Sequence, residues 1–132
     1  MSVSMDVEGL DNIINRLESM GKAGSRLEGK SLKTAGEVIV EEARNNLESH
    51  GNVKTGKLRD GLKVGKVRKK GIRKYVEVGI TKEDNSEIFY GKFLEWGTSK
   101  MSAKPFLGPA YSSKKDEAKE IIISELKRGL GL

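Results

Sequence analysis

The apolar period changes partway along this chain, and that change limits the folds open to it. Leu32, Ala35, Ile39, Ala43 and Leu47 recur every three or four residues, the spacing of one buried helix face. Beyond residue 60 the period falls to two. Leu62 and Val64 alternate with Lys63 and Gly65, Val67 follows after a slip of phase, and Ile72, Val76, Val78 and Ile80 then share one face. Lys69-Lys70-Gly71 between them reads as a turn, so residues 61–80 are predicted to form an antiparallel hairpin with one buried face. A helix running into a hairpin in 132 residues implies an α+β fold, a small antiparallel sheet flanked by helices.

Weaker patterns supply the other elements. Leu10, Ile13, Ile14 and Leu17 predict a helix near 10–20, ended by Gly21 and Gly24, with 21–30 as a linker or a weak helical continuation. The main helix is expected over 31–48 with Ser31 as its cap, and Thr81 to Ser86 is polar and turn-rich. Phe89, Tyr90, Phe93 and Leu94 fit a short helix near 87–95, and the hairpin is expected to gain a further strand. Gly97 to Pro109 is predicted irregular, and a last helix is expected over 112–128, capped by Ser112 or Ser113 and ended by Gly129. At this length residues 1–132 are expected to form one domain.

Composition removes whole classes of chemistry. There is no Cys and one His, so disulfides, thiolate chemistry, a His-rich metal site and the usual catalytic triad are excluded. Gly51-Asn52-Val53-Lys54-Thr55-Gly56-Lys57-Leu58 matches most of a phosphate-binding loop. Leu58, however, stands where a hydroxyl must bind Mg²⁺, and the loop follows a helix and opens a strand, the reverse of the needed order. His50 is sufficiently explained at a helix C-terminus. Glu41 and Glu42 point to different faces, and Asp84 and Glu87 lack an apolar wall that would raise a pKa. No catalytic, cofactor-binding or metal-binding residue is therefore expected, and no cofactor. No apolar run approaches the roughly 20 residues that span a bilayer, so no membrane contact is expected. The acidic start of the chain is unlike a signal peptide, and folding in a cytoplasm-like compartment is expected.

The charge is concentrated. Between Lys54 and Lys74 ten basic residues face one acid, Asp60, so this stretch carries +9 of a net +6 and the remainder −3. Lys63, Lys66, Arg68, Lys69, Lys70, Arg73 and Lys74 in the hairpin are candidates to face an acidic partner or DNA. The plainer reading is a solvated hairpin whose lysines blunt its edge. A small basic nucleic-acid-binding protein is the alternative function, though no basic recognition helix is evident.

The aromatic residues are concentrated too. Tyr90, Phe93, Trp96, Phe106 and Tyr111 are five of seven aromatics, and both prolines, Pro105 and Pro109, lie among them. A segment so rich in large apolar groups must dock, on its own core or on a neighbouring subunit. Closure within the subunit is the favoured expectation, with Phe93, Trp96, Met101, Pro105 and Phe106 as buried anchors. Glu95 between Leu94 and Trp96 would need a partner if buried, and Lys92, Lys100 or Lys104 is expected to supply it.

The run Tyr90, Phe93, Glu95, Trp96, Gly97, Thr98, Ser99, Lys100, Met101, Ala103, Pro105, Phe106, Leu107, Pro109, Ala110 resembles the signature of the neck and tail-completion (head–tail joining) proteins of long-tailed bacteriophages and prophages. Val7-Glu8-Gly9-Leu10 before a short helix, and Thr55-Gly56-Lys57-Leu58-Arg59 after the main one, resemble the same family. Two positions depart from the pattern: residues 49–53 lack the proline common before the Thr-Gly turn, and Gly108 replaces a commonly basic residue. The resemblance implies an α+β subunit without catalysis, assembled in the host cytoplasm and resident in the virion. It implies a ring, six-fold in the virion, between the head-side connector or stopper protein and the tail-tube protein, with non-specific DNA contact in the channel as a further partner. Tyr90, Phe93, Glu95, Trp96, Gly97, Thr98, Lys100, Met101, Pro105, Phe106, Leu107 and Pro109 are the interface or loop-anchor candidates.

Overall fold

A computed structural model describes residues 2–6, 11–49, 59–70, 73–80, 91–92, 95–100 and 102–131. The elements are β1 (Ser2–Asp6), α1 (Asp11–Ser19), α2 (Lys22–Ser49), β2 (Leu62–Val64), β3 (Arg68–Lys70), β4 (Arg73–Ile80) and α3 (Leu107–Leu130). The α+β expectation holds. Readings that fall on Val7–Leu10, residues 50–58, Gly71-Ile72 and 81–90 lie outside the described residues.

Strand β4 is the centre of the sheet. β1 pairs antiparallel on one side of it, with Val3 opposite Val78 and Met5 opposite Val76. β1 is the further strand expected, and it comes from the extreme start of the chain. On the other side β2 and β3 follow one another along β4. Leu62 faces Ile80 and Arg68 faces Tyr75, so six residue steps on one strand match five on the other. One extra residue is therefore accommodated near Gly65, whose N–H donates to the Glu77 carbonyl at 2.7 Å. This β-bulge is the phase slip visible in the sequence.

α2 lies between the sheet and α3, packing on β2 and β4 and along α3. Its buried stripe is the predicted one: Leu32, Ala35, Ile39, Ala43 and Leu47 are each fully buried. They meet Leu62, Val76, Val78 and Ile80 of the sheet and Ala118, Ile122 and Leu126 of α3 in one core. Arg44 ties the start of β2 to this helix, donating from Nη2 to the Leu62 carbonyl at 2.8 Å and from Nε to the Arg59 carbonyl at 3.2 Å.

Three element boundaries differ from expectation. Of the two readings of 21–30 the helical one holds, but 22–30 are the first turns of α2 and not a linker or an end of α1. Gly21, at φ +61°, ends α1 as predicted, whereas Gly24 sits inside α2. Its role is close approach: a Cβ built there would lie 2.0 Å from the Leu17 carbonyl oxygen of α1. Contact between the helices outweighs the helix cost of glycine, roughly 1 kcal/mol. Ser31 is no cap; it is buried mid-helix and its hydroxyl donates to the Leu27 carbonyl at 2.8 Å. α3 begins at Leu107, five residues before the predicted start, and ends not at Gly129 but at Gly131, whose φ of 75° supplies the left-handed cap.

The Gly24 contact reverses the usual sign of a glycine replacement in a helix. Gly24→Ala is expected to destabilise the protein by about 2 kcal/mol through overpacking, despite the better helix propensity of alanine. The denaturant midpoint measures it; a stabilised variant would refute the close α1–α2 crossing.

Candidate functional site

Helix α3 starts with an unusual cap. Phe106 holds the N-cap position and its side chain makes no capping bond. The carboxylate of Glu95, eleven residues earlier, takes over. Oε1 accepts the N–H groups of Phe106 at 3.1 Å and Leu107 at 2.8 Å, and Oε2 accepts that of Gly108 at 3.1 Å. The next residue is Pro109, which has no N–H to satisfy. Every donor at the start of the helix is thus paired or missing, and the negative carboxylate faces the positive end of the helix dipole. The expected lysine partner of Glu95 is corrected accordingly: its ligands are backbone. Pro109 likewise does not prevent helix, because a first-turn proline costs no bond.

The same residues are anchored from below. Phe106 is fully buried, Leu107 and Ala110 nearly or fully so, and Asn46 of α2 donates from Nδ2 to the Phe106 carbonyl at 3.0 Å. Asn46 was not anticipated. Nothing near it in sequence signals a bond sixty residues away.

Trp96 does the opposite of Phe106. Expected as a buried anchor, it is 66% exposed, the most exposed large apolar side chain among the described residues. Its neighbour Glu95 is clamped to α3 and Gly97 at φ +76° turns the chain immediately afterwards. Lys100, whose N–H donates to Thr98 Oγ1 at 3.2 Å, and Lys104 and Pro105 are exposed on the same segment. Of the predicted short helix, Gly91-Lys92 and Glu95-Trp96 are helical; Tyr90, Phe93, Leu94 and Met101 lie outside the described residues.

The basic hairpin divides in two. Lys63, Lys66, Arg68, Lys69 and Lys70 are exposed. Lys74 is not: it lies on the inner face of β4 with Val76 and Val78, 9% exposed, and Nζ donates to the Ser25 carbonyl at 3.0 Å and to the Ser25 hydroxyl. Alternation along the strand decides this, since every second residue of β4 faces the helices. Lys74 is therefore withdrawn as a surface cation. Beside it Glu28 is also buried, and burial pushes its carboxyl above the ordinary range, opposed by Lys74 and Lys69. Arg73 belongs to β4, but its side chain is not among those described.

Arg59 holds the entry to the sheet through Glu48, at 2.9 Å from Nη1, and Asp60. Among the described residues no cluster of three metal-ligating side chains occurs, and no helix is long and apolar enough to cross a membrane.

A family model described as "Bacteriophage HK97-gp10, putative tail-component" matches residues 11–97, which run from α1 through β4 to Gly97. No curated protein and no solved structure gives a significant match.

Proposed function

The chain belongs to the HK97-gp10-like family and is a structural component of a bacteriophage tail, and from that premise we propose that it is the tail-completion, or neck, subunit. In this reading copies of the chain close into a ring, six in the virion, between the head-side connector or stopper protein and the tail-tube protein. Residues 1–132 act as one joining domain, and the subunit works by presenting surfaces to its neighbours, with no catalytic step. Assembly takes place in the host cytoplasm.

The exposure of Trp96 carries this reading. An indole left 66% exposed beside a clamped carboxylate is held out at a defined place instead of being folded into the core. Aromatic side chains of this kind dominate protein–protein contacts, combining large apolar area with few rotatable bonds. Exposed Lys100 and Lys104 on the same segment would form the polar rim that such anchors usually carry.

Trp96→Ala separates folding from joining. The variant is expected to unfold within about 0.5 kcal/mol of the parent, as for other exposed positions. Loss of a hot-spot anchor of about 2 kcal/mol weakens the contact roughly 30-fold. Complementation of a phage deleted for the gene should then yield few joined particles, counted by electron microscopy. Joined particles at the parental yield would rule out Trp96 as the docking residue.

A further inference from the structure

Helix α2 carries its surface charge in two blocks. Lys22, Arg26, Lys30, Lys33, Glu37, Glu41 and Glu48 are all exposed. At the turn of an α-helix they fall within one sector of about 100°, a single stripe along its flank. Every cation of the stripe precedes every acid. That order is the wrong one for the helix itself. The first turn holds no acid and the last no base, although the two ends of the helix dipole favour those placements. Lys22, Arg26 and Lys30 follow one another at four-residue steps, as do Glu37 and Glu41, and like charges at that spacing repel. From Lys22 to Glu41 no member of the stripe belongs to the ion pairs seen among the described residues. Glu48 engages Arg59 through Oε1. Arg44, a cation within the acidic block, is turned to the Leu62 and Arg59 carbonyls.

We propose that the stripe is a homodimer surface, on which a second copy of the chain lies antiparallel about a two-fold axis level with Ala35. Lys33 then stands opposite Glu37 of the second copy and Lys22 opposite its Glu48. Lys30 and Arg26 come within a turn of its Glu41, and symmetry makes each contact twice. From Lys22 to Glu48 the stripe is roughly 39 Å long, and the two helix dipoles also run opposite ways. The charge pattern selects this occupant. A polyanion or an acidic protein would be repelled by Glu37, Glu41 and Glu48, and a parallel copy would set like blocks together. The stripe holds no large apolar side chain, so individually weak ion pairs hold the contact and salt screens it. A two-fold contact closes on itself, so it describes the free chain and builds no ring. It uses neither Trp96 nor the aromatic segment, and it stands apart from the tail-completion reading.

The test is sedimentation velocity of the full chain. A dimer is expected at 20 mM salt, with association weakened roughly 10-fold or more at 500 mM. Lys30→Glu/Lys33→Glu and Glu37→Lys/Glu41→Lys each set like charge against like across the axis, and each should weaken association roughly 10-fold or more. Mixed one to one, the two variants should pair with each other, because each supplies the charge the other meets. A chain with all four substitutions should associate as the parent does, a rescue that a folding defect cannot imitate. A parent chain that stays monomeric at 20 mM salt overturns the proposal. So does either double variant associating like the parent, or a mixture that stays monomeric. Trp96→Ala should associate unchanged, so failure here and failure of the complementation experiment are told apart.

Discussion

Phe106→Ala is expected to lower stability by about 3–5 kcal/mol, the largest effect of any single truncation on the joining segment. The ring is fully buried and belongs to the core shared by α2, the sheet and α3. Its backbone also serves two partners: the N–H donates to Glu95 and the carbonyl accepts from Asn46. Collapse around the cavity would pull both bonds out of line, which places the cost toward the upper end of that range. Chemical denaturation of the purified chain measures it. A loss below 1 kcal/mol would mean that the start of α3 is held by the carboxylate alone, not by the buried ring.

Glu95→Ala comes next, at about 2–3 kcal/mol. Bonds to a charged acceptor are each stronger than neutral ones, and two of the three donors, those of Phe106 and Leu107, are partly buried, where water replaces the acceptor poorly. The third, at Gly108, is exposed and is expected to be rescued by solvent. Glu95→Gln discriminates between shape and charge. It keeps one acceptor oxygen but turns a donor NH₂ toward the N–H groups at the helix start, so it should recover less than half of the loss. Full recovery by Gln would show that packing, not the carboxylate, sets the helix start. Glu95 and Phe106 share a hydrogen bond, so the double variant should cost less than the sum of the two. Glu95→Ala should also reduce particle joining, because the segment that presents Trp96 is no longer pinned to α3.

These two residues also mark where sequence reasoning stopped. The core face of α2 was legible because burial along a helix repeats, and all five residues of the predicted stripe are buried. The bulge was legible as a slip of phase before its register was seen. The full length of α2 was not, because Gly24 reads locally as a helix end while its purpose is to admit Leu17 of α1. β1 was not, because five alternating residues say little until β4 pairs with them. The start of α3 was misplaced for a similar reason. The serines at 112 and 113 offered a local cap, whereas the actual cap is a carboxylate eleven residues upstream.

By itself the sequence determined the class of fold, the inner faces of α2 and β4, the crowding of aromatic residues before α3 and the absence of thiol chemistry. All of these follow from residue type and from short-range periodicity, which the chain carries with it unfolded. Tertiary structure alone decided that Trp96 stays exposed while Phe106 is buried, and that Asn46 of α2 holds the Phe106 carbonyl. Each depends on which elements come to lie side by side, and the physical reason is common to them. Burial and charge are properties of a place in space, and residues 30 to 60 positions apart share a place only after the chain has packed.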